Sequence, residues 1–253
     1  MAISFVSYVG GAGTGTKNPG LPAGIADGDV LLLTIEGEGE DLNADNPPAG
    51  GVWVAIDGGT GSVASATDGA GDRTRNTTYY CVYDSAAPPA TLVPDAGNHT
   101  AVVITAWRGC DTTTPIHKYQ SSSNATNDLS VSVTGVTTTE DNCMIVAITA
   151  AGDNNAALNY PGSQAMYSNW ANANLASITE AVDVNGQEGS DWAIGIAYGV
   201  LASAGVSGAT TVTIAISEEE ANWCVALLPA KTGHSLGGKE TRRMLLHYKG
   251  SKR

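Results

Sequence analysis

The stretch Gly28-Asp29-Val30-Leu31-Leu32-Leu33-Thr34-Ile35 decides how this chain is read. Its apolar run, Val30 to Leu33 and then Ile35, has the length and β-branched content of a strand buried on both faces. Gly28 and Asp29 are turn residues that launch it. A related phrase returns as Asp141-Asn142-Cys143-Met144-Ile145-Val146-Ala147-Ile148, with Asp141 lying 112 positions after Asp29. The strands after each copy are also alike. Trp192-Ala193-Ile194-Gly195-Ile196-Ala197-Tyr198 parallels residues 79–83, and Trp223-Cys224-Val225-Ala226-Leu227-Leu228 parallels residues 102–107.

Working outward, residues 3–9 alternate apolar and small polar side chains and read as a strand. Residues 10–20 read as a Gly/Thr loop. Residues 52–56, 77–83 and 101–109 are the remaining strands of the first half, and residues 57–72 read as a long loop of Gly, Ser, Ala and Thr. Residues 111–127 read as a polar crossing. Residues 129–134, 144–148, 175–184, 192–201, 211–216 and 223–228 are the strands of the second half. No helical period separates them. The expected fold is all-β, an antiparallel, jelly-roll-like β-sandwich of residues 1–230, built from two diverged halves at about 1–110 and 128–230. The halves are expected to share one core, because an isolated half would leave its central strand uncovered on one face.

Composition agrees. Of 253 residues 31 are Gly and only one is Phe, which suits short strands joined by tight turns. The opening Met1-Ala2-Ile3-Ser4-Phe5 has neither a basic region nor a long apolar run, so no secretory signal is expected. No apolar run approaches the roughly 20 residues of a membrane span. The cysteines, Cys81, Cys110, Cys143 and Cys224, form no CxxC pair and read as buried reduced thiols.

Charge divides the chain. Residues 1–230 carry 24 of the 25 acids and 5 of the 12 bases, a balance of −19, whereas residues 231–253 balance at +6. That C-terminal segment contains Lys239, Arg242, Arg243, Met244, Leu245, Leu246, Tyr248, Lys249, Lys252 and Arg253. Its apolar residues are too many for a purely solvated tail, so it reads as a basic arm that docks on a protein partner. Nucleic acid is disfavoured as that partner, since the acidic body would be repelled.

Chemistry-bearing motifs are sparse. Gly233-His234-Ser235-Leu236-Gly237 has the wording of a lipase nucleophile elbow, but only Glu240 and His247 follow it and the surroundings are not α/β. It reads as a hinge, and no catalytic residue is assigned. The acidic run of residues 36–41, with Asn43 and Asp45, imitates the start of an EF-hand loop. Asn46 and Val52 stand where Gly and Glu are needed, so it reads as a solvated acidic edge with no metal. No metal or other cofactor is expected elsewhere. Tyr160, Tyr167 and Trp170 lie in a loop-like passage and are the candidate contacts for a glycan.

The opening at Ile3 to Val6, the stretch at Gly28 to Leu32, the Trp53 strand, residues 79–83 and residues 101–109 together resemble a group of tailed-bacteriophage virion proteins. The resemblance covers most of residues 1–230 and not the arm. It implies a non-enzymatic β-sandwich component of a head surface or tail, present as a homo-oligomer on the virion and contacting other capsid or tail subunits. The alternative it leaves open is a module that adsorbs to a host-surface carbohydrate.

Overall fold

Fourteen strands and no helix make up the described residues of the computed structural model, which are 1–13, 15–38, 47–57, 64–67, 73–94, 99–152, 165–186 and 192–231. The first half forms β1 (Ser4–Gly13), β2 (Val30–Glu38), β3 (Val54–Ala55), β4 (Ala64–Thr67), β5 (Arg73–Val82) and β6 (His99–Arg108). The second forms β7 (Ile116–Val133), β8 (Thr137–Thr138), β9 (Cys143–Gly152), β10 (Tyr167–Ala171), β11 (Thr179–Gly186), β12 (Trp192–Leu201), β13 (Gly205–Val206) and β14 (Thr210–Leu227).

Each half makes its own antiparallel sheet. The first runs β1-β6-β2-β5-β3, with β4 also on β5; the second runs β10-β14-β9-β12-β11, with β7 on β14. Strands β8 and β13 form a separate pair. The strand order therefore repeats: β1-β6-β2-β5 in the first sheet has the same pattern as β7-β14-β9-β12 in the second. The phrases that match in sequence fall at matching places, with β2 and β9 at the centres.

Both central strands are buried on both faces, as their unbroken apolar runs require. Val30 and Leu32 join Met144, Val146 and Ile148 in an apolar layer between the sheets, together with Trp107, Ile194, Trp223 and Val225. Leu31, Leu33 and Ile35 turn the other way, to a cluster containing Trp53, Tyr79, Val93 and Ile104. Trp53 is held there by its indole, which donates to the Ala90 carbonyl at 2.8 Å. Two antiparallel sheets over a common apolar layer give a sandwich-like, all-β protein.

The turn before β2 locks it to β6. Gly28 sits at φ 87°, a conformation that costs glycine nothing. Asp29 then accepts hydrogen bonds from Arg108 Nε at 3.0 Å, Arg108 Nη2 at 2.7 Å and the Ala26 amide at 2.8 Å. A bidentate guanidinium–carboxylate pair with one buried partner fixes register as well as energy.

The outer face of the second sheet is covered by its own longest strands. β7 and β14 pair along most of their length, yet Thr134 N lies 3.2 Å from Ser122 Oγ, twelve residues earlier. A straight strand would put those residues about 40 Å apart. The ribbon therefore folds back on itself. Its register slips between Thr213 and Glu218 and again between Glu218 and Glu220, where bulges let strands turn a corner. The returning half brings Val131, Val133, Val212 and Ile214 over Cys143, Ile145 and Ala147 of β9.

Several boundaries differ from the sequence reading. β1 continues to Gly13, so the Gly/Thr loop starts later than residue 10. The Trp53 strand shrinks to Val54–Ala55. β4 lies inside the stretch read as loop. The polar crossing of residues 111–127 is largely strand: Ser, Thr and Asn lack the apolar alternation used to recognise strands, and backbone pairing to β14 supplies the order instead. Strand 175–184 begins at Thr179. The four cysteines are free and buried, as read. Burial pushes Cys81, Cys110 and Cys224 up to about 12 and Cys143 up to about 11, which leaves them as inert thiols.

Candidate functional site

Tyr160, the arm residues from Lys239 to Arg253, the elbow at Gly233 to Gly237 and the acidic positions 39–46 lie outside the described residues. Tyr167 and Trp170 are not in a loop but on β10, a strand paired to β14. Tyr167 is 1 % exposed, so it is not a surface contact. Its ring packs where Gly195 lacks a side chain: a Cβ there would stand 2.6 Å from Tyr167 Cδ2. Gly195→Ala is accordingly expected to destabilise the protein by about 1–3 kcal/mol, read by urea unfolding. An unchanged midpoint would mean the ring has room to retreat. Burial, with the Asp183 carboxylate next, holds the Tyr167 phenol well above its usual range.

Trp170 is half-buried beside Tyr167, with ring centroids 6.1 Å apart. Its indole donates to Glu180 Oε2 at 2.9 Å. That contact leads to the feature the sequence did not reveal. β1 and β11 are edge strands of the two sheets, and a cleft of about 530 Å³ opens between them. Tyr8, Gly10 and Gly11 line it from β1, Glu180 and Asp183 from β11, and Trp192 from β12. Tyr8 and Gly10 sit two apart on an extended strand and share a face. Tyr8 is 42 % exposed while Trp192 is buried. Burial raises both carboxylates: for Glu180 the Trp170 indole opposes the effect, and for Asp183 the amides of Tyr167 and Met166, each 3.1 Å away, do so. The cleft could not be read from sequence, because its two walls are about 170 residues apart and meet only through sheet packing.

A second unforeseen feature is a buried polar corner at the opposite end of the shared core from Trp107. Glu36 is wholly buried, which corrects its reading as part of a solvated acidic edge. Glu218, Glu219 and Glu220 are buried at the ribbon's bend, with Asn76, Asn222 and Thr149. The sheets are stitched together there. Asn76 Nδ2 donates to the Ala221 carbonyl at 3.0 Å, Trp223 Nε1 to the Asn76 carbonyl at 2.8 Å, and Thr74 Oγ1 to the Gly152 carbonyl at 2.7 Å. Burial lifts Glu220 to about 8. Asp128 and Glu219 reinforce the shift and Asn124 opposes it. Among the described residues no group of three or more His, Cys, Asp or Glu side chains could hold a metal ion. The only sequence signal for this corner was three consecutive glutamates inside an apolar strand pattern.

A smaller groove of about 440 Å³ lies where the described chain ends, lined by Met1 to Ile3, Glu140, Asn142, Val200 and residues 228–231. No helix among the described residues is long and apolar enough to cross a membrane.

The fold and these sites define a class: an all-β protein of two like-ordered antiparallel sheets with a cleft at their open edge. Beyond that class, no family model, no curated protein and no solved structure matches the chain.

Proposed function

We propose that this protein is a non-enzymatic structural component of a bacteriophage particle, a head-decoration or tail protein, held in place by its basic C-terminal arm. The observation that carries the reading is the charge division at residue 231: a −19 body against a +6 segment with Met244, Leu245, Leu246 and Tyr248 among its bases. Opposite charges on one chain favour contact between copies or with another acidic subunit. The resemblance of most of residues 1–230 to tailed-phage virion proteins supports the same role. The proposed architecture is one sandwich made by duplication and divergence. The strand order common to both sheets supports it, and the confinement of each sheet to its own half favours it over a jelly roll.

Light scattering on the full chain and on a chain ending at Lys231 tests the arm. That truncation keeps the hydrogen bond from Ala230 N to the Gly109 carbonyl. The full chain is expected to self-associate at low salt and dissociate at high salt, with the truncated chain monomeric and equally stable. Identical masses throughout would leave docking to a different virion protein. Normal incorporation of the truncated chain into particles would sink the reading.

The cleft between β1 and β11 favours a second reading, adsorption to a host-surface carbohydrate. An exposed aromatic ring offers an apolar face and the fixed carboxylates beside it offer acceptors, a combination that suits a sugar.

A further inference from the structure

We propose that the cleft between β1 and β11 binds an uncharged sugar ring stacked on Tyr8, and that it excludes acidic sugars. This rests on the adsorption reading and assigns it a site and a ligand class.

Four observations carry it. Tyr8 is a large aromatic side chain left exposed on an edge strand, beside a cavity of ligand size. Sugar C–H faces are apolar and their hydroxyls polar, so an aromatic ring with neighbouring acceptors matches both. Gly10, two residues on along the same face, leaves the space next to the Tyr8 ring open. A Cβ at Gly10 would stand 3.2 Å from the Val102 carbonyl oxygen, so the neighbouring strand comes close and only the missing side chain keeps the floor low. Glu180 is oriented before any ligand arrives, because Trp170 holds its Oε2 at 2.9 Å. A pre-positioned acceptor loses little freedom on binding.

The charge preference comes from the same residues. Glu180 and Asp183 both line the cleft, in a body with a balance of −19. A carboxylated sugar would be brought against like charge in a partly desolvated site. A basic peptide is the less favoured occupant. Both Asp183 oxygens accept from the Met166 and Tyr167 amides and Glu180 Oε2 accepts from Trp170, so neither carboxylate offers two uncommitted oxygens to a guanidinium, whereas a single sugar hydroxyl needs only one acceptor, at Glu180.

The test is a glycan array probed with the full chain and with Tyr8→Ala and Gly10→Ala, each first checked for an unchanged thermal midpoint. The expected result is binding confined to neutral glycans, with a loss of at least about tenfold in apparent affinity for both variants. Tyr8→Phe should retain most of the binding, because it keeps the ring. Hits among acidic glycans, or hits that survive Tyr8→Ala, would overturn the cleft assignment and leave adsorption standing elsewhere on the protein. No hits with the full chain would overturn both. Binding to an arginine-rich peptide, lost in Tyr8→Ala, with no sugar bound, would overturn the ligand class and identify a peptide groove.

Discussion

Glu220→Gln raises the thermal midpoint at pH 8 and leaves it unchanged at pH 4. The side chain is 0 % exposed at the bend of the β7–β14 ribbon, and neither carboxylate oxygen makes a hydrogen bond of ordinary geometry among the described residues. Burial is the main reason its acid form is favoured up to about pH 8, and the nearby carboxylates of Asp128 and Glu219 add to it. In the unfolded chain the same group ionises near 4.3. Between those values the native state holds a proton that the unfolded state has released. Stability contributed here is therefore complete below about pH 4 and is lost as pH rises towards 8, at up to about 1.4 kcal/mol per unit. Glutamine keeps the shape and cannot ionise, so it escapes the loss. At pH 8 the difference amounts to a few kcal/mol, or roughly 5 to 10 °C for a protein of this size. The comparison removes contributions from Glu180 and Asp183, which are present in both proteins. A midpoint difference that does not vary between pH 4 and pH 8 would show that Glu220 ionises alike in the folded and unfolded chain, and a variant less stable at pH 8 than at pH 4 relative to the parent would show a carboxylate charged and well paired in the folded state.

Replacing Trp107 by alanine costs about 3–5 kcal/mol in urea unfolding. Trp107 is fully buried at the apolar end of the shared core. Its ring meets Phe5 of β1 at 5.3 Å and Tyr198 of β12 at 5.2 Å, the latter edge-on, so a single side chain ties two strands of one sheet to the other sheet. Its indole nitrogen donates to Thr105 Oγ1 at 2.9 Å. Truncation leaves a cavity and also strips a buried hydroxyl of its donor. Trp107→Phe separates these two losses: it refills much of the space without restoring the hydrogen bond, and should recover more than half of the stability. A cost under about 1 kcal/mol for the alanine variant would mean the sheets are not held together at this point.

The two ends of the core behave differently for one reason. At Trp107 the sheets meet through apolar rings, and water is excluded at no electrostatic cost. At Asn76 and Glu220 they meet through amides, carbonyls and carboxylates, where each polar group needs a partner or a proton. Stability should accordingly respond to cavity size at one end and to pH at the other.

Local patterns in the chain were sufficient for the fold class and the two central strands. An unbroken apolar run such as Val30 to Leu33 or Met144 to Ile148 demands cover on both faces wherever it is placed, so its burial is dictated by its composition. The same holds for the cysteines and for Trp53. Contacts across long loops had to be added by tertiary structure. Ser, Thr and Asn from residue 120 to 128 carry no apolar period, so only pairing with β14 makes them strand. Tyr167 looked available because it lies in a loop-like passage, yet alternation along β10 turns it onto Gly195. Glu36 is acidic and therefore reads as solvated, but the strand that carries it runs inward through the core, as does the strand that carries Glu220. Tyr8 and Glu180 have no relation along the chain. Packing one sheet on the other brings their edges together, and the cleft between them exists only at that distance.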